Sequence, residues 1–279
     1  MGERPTFKPD EIGAWSEIKL DIVRDYASAY SKILAAQSGL SHLYIDAFAE
    51  AGTHISKATR ELIPGSPANA LLVKPPFCEY HLIDLDASKV AELKALKANR
   101  SDVFIYQSDC NPILLDSVFP RTRYEDYRRA LCLLDPYGLD LNWKVIETAG
   151  QMRSVEIFLN FPVMDMNRNV LWGKHEAVPL RQIERMSSYW GDDSWKQAAY
   201  RTQRDLFGEE TLEKQHISQV IKAFRQRLKK VAGFHYVPEP LPMWDKGHLL
   251  YYLFFASQKP VAQRIVEDIF KKYRGREAH

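Results

Sequence analysis

Residues 42–52 read HLYIDAFAEAG, an unbroken apolar run from His42 to Phe48 that stops at a turn of small residues ending in Gly52. A short apolar run bounded by turn residues reads as a buried strand, and a small-residue turn after it lets backbone approach a ligand closely. The unit recurs downstream. YHLID (80–84), DVFIYQSD (102–109), ALCLLD (130–135) and VEIFLNF (155–161) are further apolar strands, with helical patterns at 87–99, 112–118 and 143–149 between them. Strands alternating with helices predict a parallel sheet, because parallel neighbours need crossover connections. The expected fold class is therefore α/β, a doubly wound, Rossmann-like sheet.

Working outward, residues 15–37 carry Ile18, Ile22, Val23, Tyr26, Tyr30, Ile33 and Leu34 at three- and four-residue spacing, which predicts one amphipathic N-terminal helix ended by Gly39. Residues 58–76 are irregular at first, and Ser66 is placed to cap a short helix through Leu72. Between 164 and 230 the strand signal vanishes. Helical stretches at 178–189, 194–206 and 212–231 predict a helical insertion or subdomain over one edge of the sheet. FHYVPEPLPMW (234–244) and LLYYLFFAS (249–257) then read as an antiparallel strand pair, before a last helix at 261–273. No repeat is present, and a single domain over 1–279 is expected.

The composition is that of an ordinary globular chain: 46% hydrophobic, 27% charged, net +2. It excludes disordered, fibrous and disulfide-scaffold classes and leaves any preference for a polyanion to a local patch. Cys78, Cys110 and Cys132 lack zinc or redox spacing and read as buried small hydrophobes. Neither a secretory signal nor a membrane span is recognisable, so no membrane is expected and a cytoplasmic location is the default.

In open parallel sheets ligands bind beyond the carboxyl ends of the strands. Asp46, Asp84, Asp109 and Asp135 each stand at such an end. One such acid is often only a turn residue or a helix cap. Four in register point to a pocket rimmed by carboxylates, suited to ribose hydroxyls, an amine donor and a cationic centre. Such a rim does not suit a polyphosphate, and GxxxxGK[ST] is absent. Asp84, at the end of the second strand, occupies the place of the ribose-binding acid in nucleoside-binding folds of this class. His42, His81 and His175 have no ligand-spaced companions and are assigned core or surface roles.

Two basic clusters are candidates for gripping phosphate. Arg121, Arg123, Arg128 and Arg129 interleave with Tyr124 and Tyr127; Arg225, Arg227, Lys229 and Lys230 share a helix. The competing reading is a solvated connector diluted by Glu125 and Asp126.

In combination, YIDAFAEAG, GSPANALL, LLDPYGLDL, FLNFPVMDMNRN and YYLFFASQKP resemble the three-Cys-motif partner protein family, over residues 15–272. The resemblance implies a class I methyltransferase fold with S-adenosylmethionine as cofactor, and a three-Cys-motif protein as a possible partner; Cys78, Cys110 and Cys132 are not that motif. It places Asp46, Phe48, Ala49 and Gly52 around the methionine part of the cofactor, Asp84 on the ribose and Asp109 near the adenine amine. Glu50 departs from the family, standing where a glycine is usual. Its side chain either crowds the cofactor or pairs with its amino group.

LLDPYG (133–138) is similar to the [DNS]-P-P-[YF] motif of amino-group methyltransferases acting on nucleic-acid bases, with the second proline missing. By that likeness Asp135 and the carbonyl region of Pro136 accept the hydrogens of an amine and Tyr137 stacks on its ring. The alternative is a Pro-Tyr-Gly turn with Tyr137 packed on the cofactor. Asn160, Asn167 and Arg168 either line the substrate side or serve strand-end bonds and a structural ion pair. The resulting expectation is an S-adenosylmethionine-dependent methyltransferase acting on an amino group of a nucleic-acid base. The alternatives are a small-molecule or protein substrate, and a cofactor-binding partner subunit with little activity of its own.

Overall fold

The computed structural model describes residues 10–50, 52–204 and 210–274. Ala51, inside the first turn, and the end of the helix expected at 194–206 lie outside the described residues. In chain order the elements begin β1 (Glu11–Ile12), α1 (Ala14–Ala35), β2 (Ser41–Asp46), β3 (Thr53–Ser56), β4 (Leu62–Pro64), α2 (Ser66–Leu72), β5 (Glu79–Asp84), α3 (Ala87–Lys97), β6 (Val103–Gln107) and α4 (Cys110–Ile113). They continue β7 (Arg128–Leu134), α5 (Trp143–Met152), β8 (Val155–Phe161), α6 (Val163–Asn169), α7 (Leu180–Trp190), α8 (Trp195–Ala199), β9 (Tyr200–Arg204), β10 (Glu210–Lys214) and α9 (Ile217–Lys230). β11 (Leu241–Asp245), β12 (His248–Ala256) and α10 (Pro260–Tyr273) close the chain as described.

Among the described residues, seven strands form the main sheet in the order β6-β5-β2-β7-β8-β12-β11. β6 through β8 are parallel, and β12 and β11 run antiparallel at one side. This is the doubly wound, class I methyltransferase-like arrangement that the sequence led us to expect. The chain steps from β2 outward through β5 to β6, then returns to the other side of β2 as β7. Strand order therefore reverses between β2 and β7, which fixes where a ligand crevice opens.

Side chains alternate between two cores with the period of two that a doubly covered sheet requires. Leu43, Ile45, Ala130, Cys132, Ile157 and Leu159 face the side covered by α5, α7 and α9. Tyr44, Leu131, Leu133 and Phe158 face the side covered by α1 and α10. The region from 164 to 230 packs through Phe224, whose ring lies 4.5 Å from Phe161 and 5.4 Å from Phe254. Its aromatics thus share a core with β8 and β12, covering a face of the sheet.

Several local readings are corrected. The helices expected at 194–206 and 212–231 shorten to α8 and α9, because β9 and β10 pair antiparallel between them. Tyr200 is buried, but Arg201, Thr202, Gln203, Leu212, Glu213 and Lys214 are exposed, so these residues show no alternation of buried and exposed positions that would give a strand period. Of the strand expected at 234–244 only β11 and a bridge from Tyr236 to Ser257 form, since Pro238 and Pro240 have no N–H to give a ladder. The stretch read as irregular from residue 58 holds β4, which pairs with β3 just before it, and β3 in turn pairs with β1, in a small sheet beside the main one. Cys110 and Cys132 are buried as expected, whereas Cys78 is exposed at the start of β5.

Candidate active site

A cleft of about 690 Å³ opens beyond the carboxyl ends of β2 and β7, where strand order reverses. Phe48 and Glu50 come from the turn after β2, Asp135, Pro136 and Tyr137 from the turn after β7, and Asn160 from the end of β8. Trp15 and Lys19 of α1 and Tyr251 of β12 line it as well.

Asp135 is the centre of this arrangement. Its Oδ2 is ion-paired with Lys19 Nζ, the two side chains being only 11% and 10% exposed. Its Oδ1 accepts a 2.9 Å bond from Asn160 Nδ2. The Asn160 Oδ1 and the Tyr251 hydroxyl are buried and have no hydrogen-bond partner among the described residues. Burial opposes the charge on Lys19, but Asp135, Tyr251 and Glu50 outweigh it and hold the ammonium well above its usual pKa. Lys19 is therefore a fixed cation at neutral pH.

The first turn is tied to its neighbours by backbone. Ala49 N–H donates to the Ile83 carbonyl at 2.9 Å, and Glu50 N–H donates to Asp84 Oδ2 at 2.9 Å. Glu50 adopts φ +51°, a left-handed conformation that disfavours a side chain. Its carboxylate accepts the Tyr137 hydroxyl, which in turn accepts a 2.8 Å bond from Lys89. The Tyr137 ring is 70% exposed. Desolvation of its hydroxyl, followed by the Glu50 carboxylate, raises its pKa. Gly52 is buried against α3, where an added Cβ would stand 3.1 Å from Leu96 Cδ2. Its lack of a side chain serves helix-to-strand packing.

Of the four strand-end acids only Asp135 lines the cleft. Asp46 is fully buried behind it, accepting bonds from Ser66 Oγ at 2.6 Å and Tyr44 at 3.3 Å. Burial pushes its carboxyl up to about 7. Asp84 binds the N–H groups of Glu50 and Asp86, holding the first turn against α3. Asp109 caps α4 through the Asn111 N–H at 2.9 Å. The local roles weighed for these acids thus apply to Asp84 and Asp109. A carboxylate still offers about four acceptor positions, so Asp84 has two to spare.

Arg168 lines the cleft, whereas Asn167 faces outward and accepts a 3.1 Å bond from Lys214. Arg128 and Arg129 are corrected as phosphate ligands of this site. They start β7, and six to seven residues of extended strand put them about 20 Å from Asp135. Arg128 is ion-paired with Glu79, and Arg129 lies 3.6 Å over the Tyr124 ring. In the second cluster, Arg225 pairs with Glu239 and Arg227 with Asp192.

The residues present suit the cofactor implied by the sequence resemblance. Glu50 and Asp135 line the cleft and would supply acceptors for an ammonium group or ribose hydroxyls and negative charge near a positive sulfonium, while Asp84 holds the turn that carries Glu50.

No protein-family model and no curated protein matches the sequence. Among solved structures, a protein of Legionella pneumophila str. Philadelphia 1 from family DUF519 matches over 91% of this chain and 92% of its own, with a TM-score of 0.52 and 11% identity. The magnesium protoporphyrin IX methyltransferase of Synechocystis PCC 6803, with bound S-adenosylmethionine, matches over 91% and 88% at a TM-score of 0.38 and 10% identity. An S-adenosylmethionine-dependent methyltransferase of Leishmania major matches over 87% and 83% at a TM-score of 0.37 and 11% identity. At these identities the likeness is one of fold.

Lys19, Tyr251 and Trp15 escaped the sequence reading. A trace of Lys19 was there: it shares the inward stripe of α1 with Trp15, Ile22 and Tyr26, and a lysine on a buried stripe needs a counter-charge.

Proposed function

We propose that the chain is an S-adenosylmethionine-dependent methyltransferase that methylates an amino nitrogen attached to a planar ring. The observation that carries this reading is the pair of acceptors at the head of the cleft: Asp135, and beside it the unpartnered Asn160 Oδ1. An amino group on a ring has two N–H donors and a delocalised lone pair. Two acceptors side by side hold both donors, turn the nitrogen out of conjugation and direct its lone pair. Lys19 is ion-paired with Asp135 and fixes its carboxylate in place, and Trp15 and Tyr251 offer flat surfaces to the ring. S-adenosylmethionine, when bound, supplies a methyl group already activated on sulfur.

The charge at the rim bears on what carries the amine. Asp10, Glu11, Glu50, Asp165 and Asp245 line the cleft against Lys57 and Arg168. Such a rim repels a phosphate backbone, which favours a small nucleoside-like or heteroaromatic amine. A base of a nucleic acid is the second reading, supported by the likeness of LLDPYG to a base-methylating motif. Membership of the three-Cys-motif partner family rests on the sequence resemblance.

The test is label transfer from tritiated cofactor to separated pools of metabolites, RNA, DNA and protein. Label in a ring amine, reduced about 100-fold or more in Asp135→Asn while cofactor binding persists, is the expected result. Absence of cofactor binding by calorimetry would end the proposal.

A further inference from the structure

The opposite end of the sheet holds a second cavity, of about 300 Å³, that methyl transfer does not use. It lies where β7 and β8 begin and β12 ends, between α1 and α10. Two of its lining groups are unexplained as packing. Tyr30 is 6% exposed and Ser154 2%, and neither hydroxyl has a hydrogen-bond partner among the described residues. Buried hydroxyls are nearly always paired, so two orphans on one cavity mark atoms awaiting a ligand. Beside them Glu156 accepts bonds from Tyr26 and, at 2.8 Å, from Ser257. Burial raises its carboxyl above the usual range, which favours its neutral form.

The rim has the opposite chemistry. Arg129, Arg153 and Lys259 line it, and among the described residues none of the three makes an ion pair with a carboxylate. Arg129 is held in place by its stack on Tyr124 and by bonds from Nη1 to the carbonyls of Tyr124 and Arg128, at 3.2 and 2.7 Å. Lys259 approaches the same ring, 5.9 Å from its centre. Between rim and floor the walls are apolar, Leu34 from α1 and Val261 and Ile265 from α10.

We propose that this cavity is a second ligand site, for a small aromatic carboxylate carrying a hydroxyl group at the end away from its acid. The carboxylate meets Arg129, Arg153 and Lys259, whose forked and ammonium donors match it. The ring lies against the apolar walls. The far hydroxyl reaches the Tyr30, Ser154 and Glu156 floor and satisfies the orphaned groups. A purely aliphatic acid would leave that floor unpaired, and an amine would meet three cations.

The probe is 4-hydroxyphenylacetate, titrated calorimetrically into the full chain, with phenylacetate and tyramine for comparison. Saturable binding with a Kd below about 1 mM is expected, weaker by about fivefold for phenylacetate and absent for tyramine. Lys259→Gln, at an exposed position, weakens both acids about fivefold, and Tyr30→Phe, which keeps the ring, removes the preference for the hydroxyl. Circular dichroism checks that both variants are folded. Absence of binding at about 10 mM, tyramine binding as tightly as the acids, or affinities unmoved by both substitutions would each overturn the proposal.

Discussion

Asp135 shares its carboxylate between Lys19 and Asn160, 116 residues before it and 25 after, so its chemistry is set by partners that no local spacing reveals. Glu50 and Asp46 carry the sharper consequences. A glutamate at φ +51° costs about 1 kcal/mol relative to glycine, a strain retained where a side chain has a task. Glu50→Gly is expected to raise stability by roughly 0.5–1 kcal/mol and to weaken S-adenosylmethionine about tenfold, read by denaturant melts and calorimetry. Tighter cofactor binding in that variant would show that the glutamate crowds the site. Asp46 has a folded pKa of about 7 against 3.8 unfolded, so the native state holds its proton more tightly. Its contribution is present below the unfolded value and is lost as pH rises from about 4 to 7. Asp46→Asn should therefore gain on the wild type by about 2 kcal/mol between pH 5 and pH 8, measured as the difference in unfolding free energy.

At the scale of elements, the strands were legible because a buried parallel strand is a short apolar run whatever surrounds it. β2, β5, β6, β7 and β8 fall within one or two residues of the expected ends. The ribbon β9–β10 was not, because apart from Tyr200 the residues whose burial is described are exposed, and β1, β3 and β4 are too short to show a period. Glycines read differently too. Gly150 lies inside α5, where alanine would ordinarily add about 1 kcal/mol of helix stability. Here an added Cβ would stand 2.1 Å from the Ala232 carbonyl oxygen, where the chain after α9 crosses α5. Gly150→Ala is expected to destabilise by about 2 kcal/mol or more, reversing the sign of the propensity effect, as a urea midpoint would show. Gly138 follows the same logic within LLDPYG. Its Cβ would meet Asp165 Oδ2 at 2.8 Å, so this glycine answers to α6 and not to a ligand.

Across the whole molecule, the sheet separates two ends with different electrostatics: a carboxylate-rimmed cleft where the strands finish and a cation-rimmed cavity where they start. α1 links them, presenting Lys19 to one and Tyr30 to the other over a 22-residue helix. The aromatics of the helical region, Tyr189, Trp190 and Phe224, belong to the same buried cluster as Ile157, Leu159 and Phe161 of β8. Tryptophan fluorescence and far-ultraviolet circular dichroism should therefore report one coincident denaturant transition. A separate early transition in fluorescence would show that 164–230 unfolds alone.

The sequence by itself determined the alternation of strands and helices and that Asp46, Asp84, Asp109 and Asp135 stand at strand ends, because strand runs, turns and strand ends are short-range properties of consecutive residues. Only the tertiary structure decided which acids face the cleft, that Lys19 neutralises Asp135, and that Arg128 and Arg129 belong to the far end of the sheet. Those outcomes depend on contacts between residues far apart in the chain and on the direction in which each strand runs, neither of which is written in local composition.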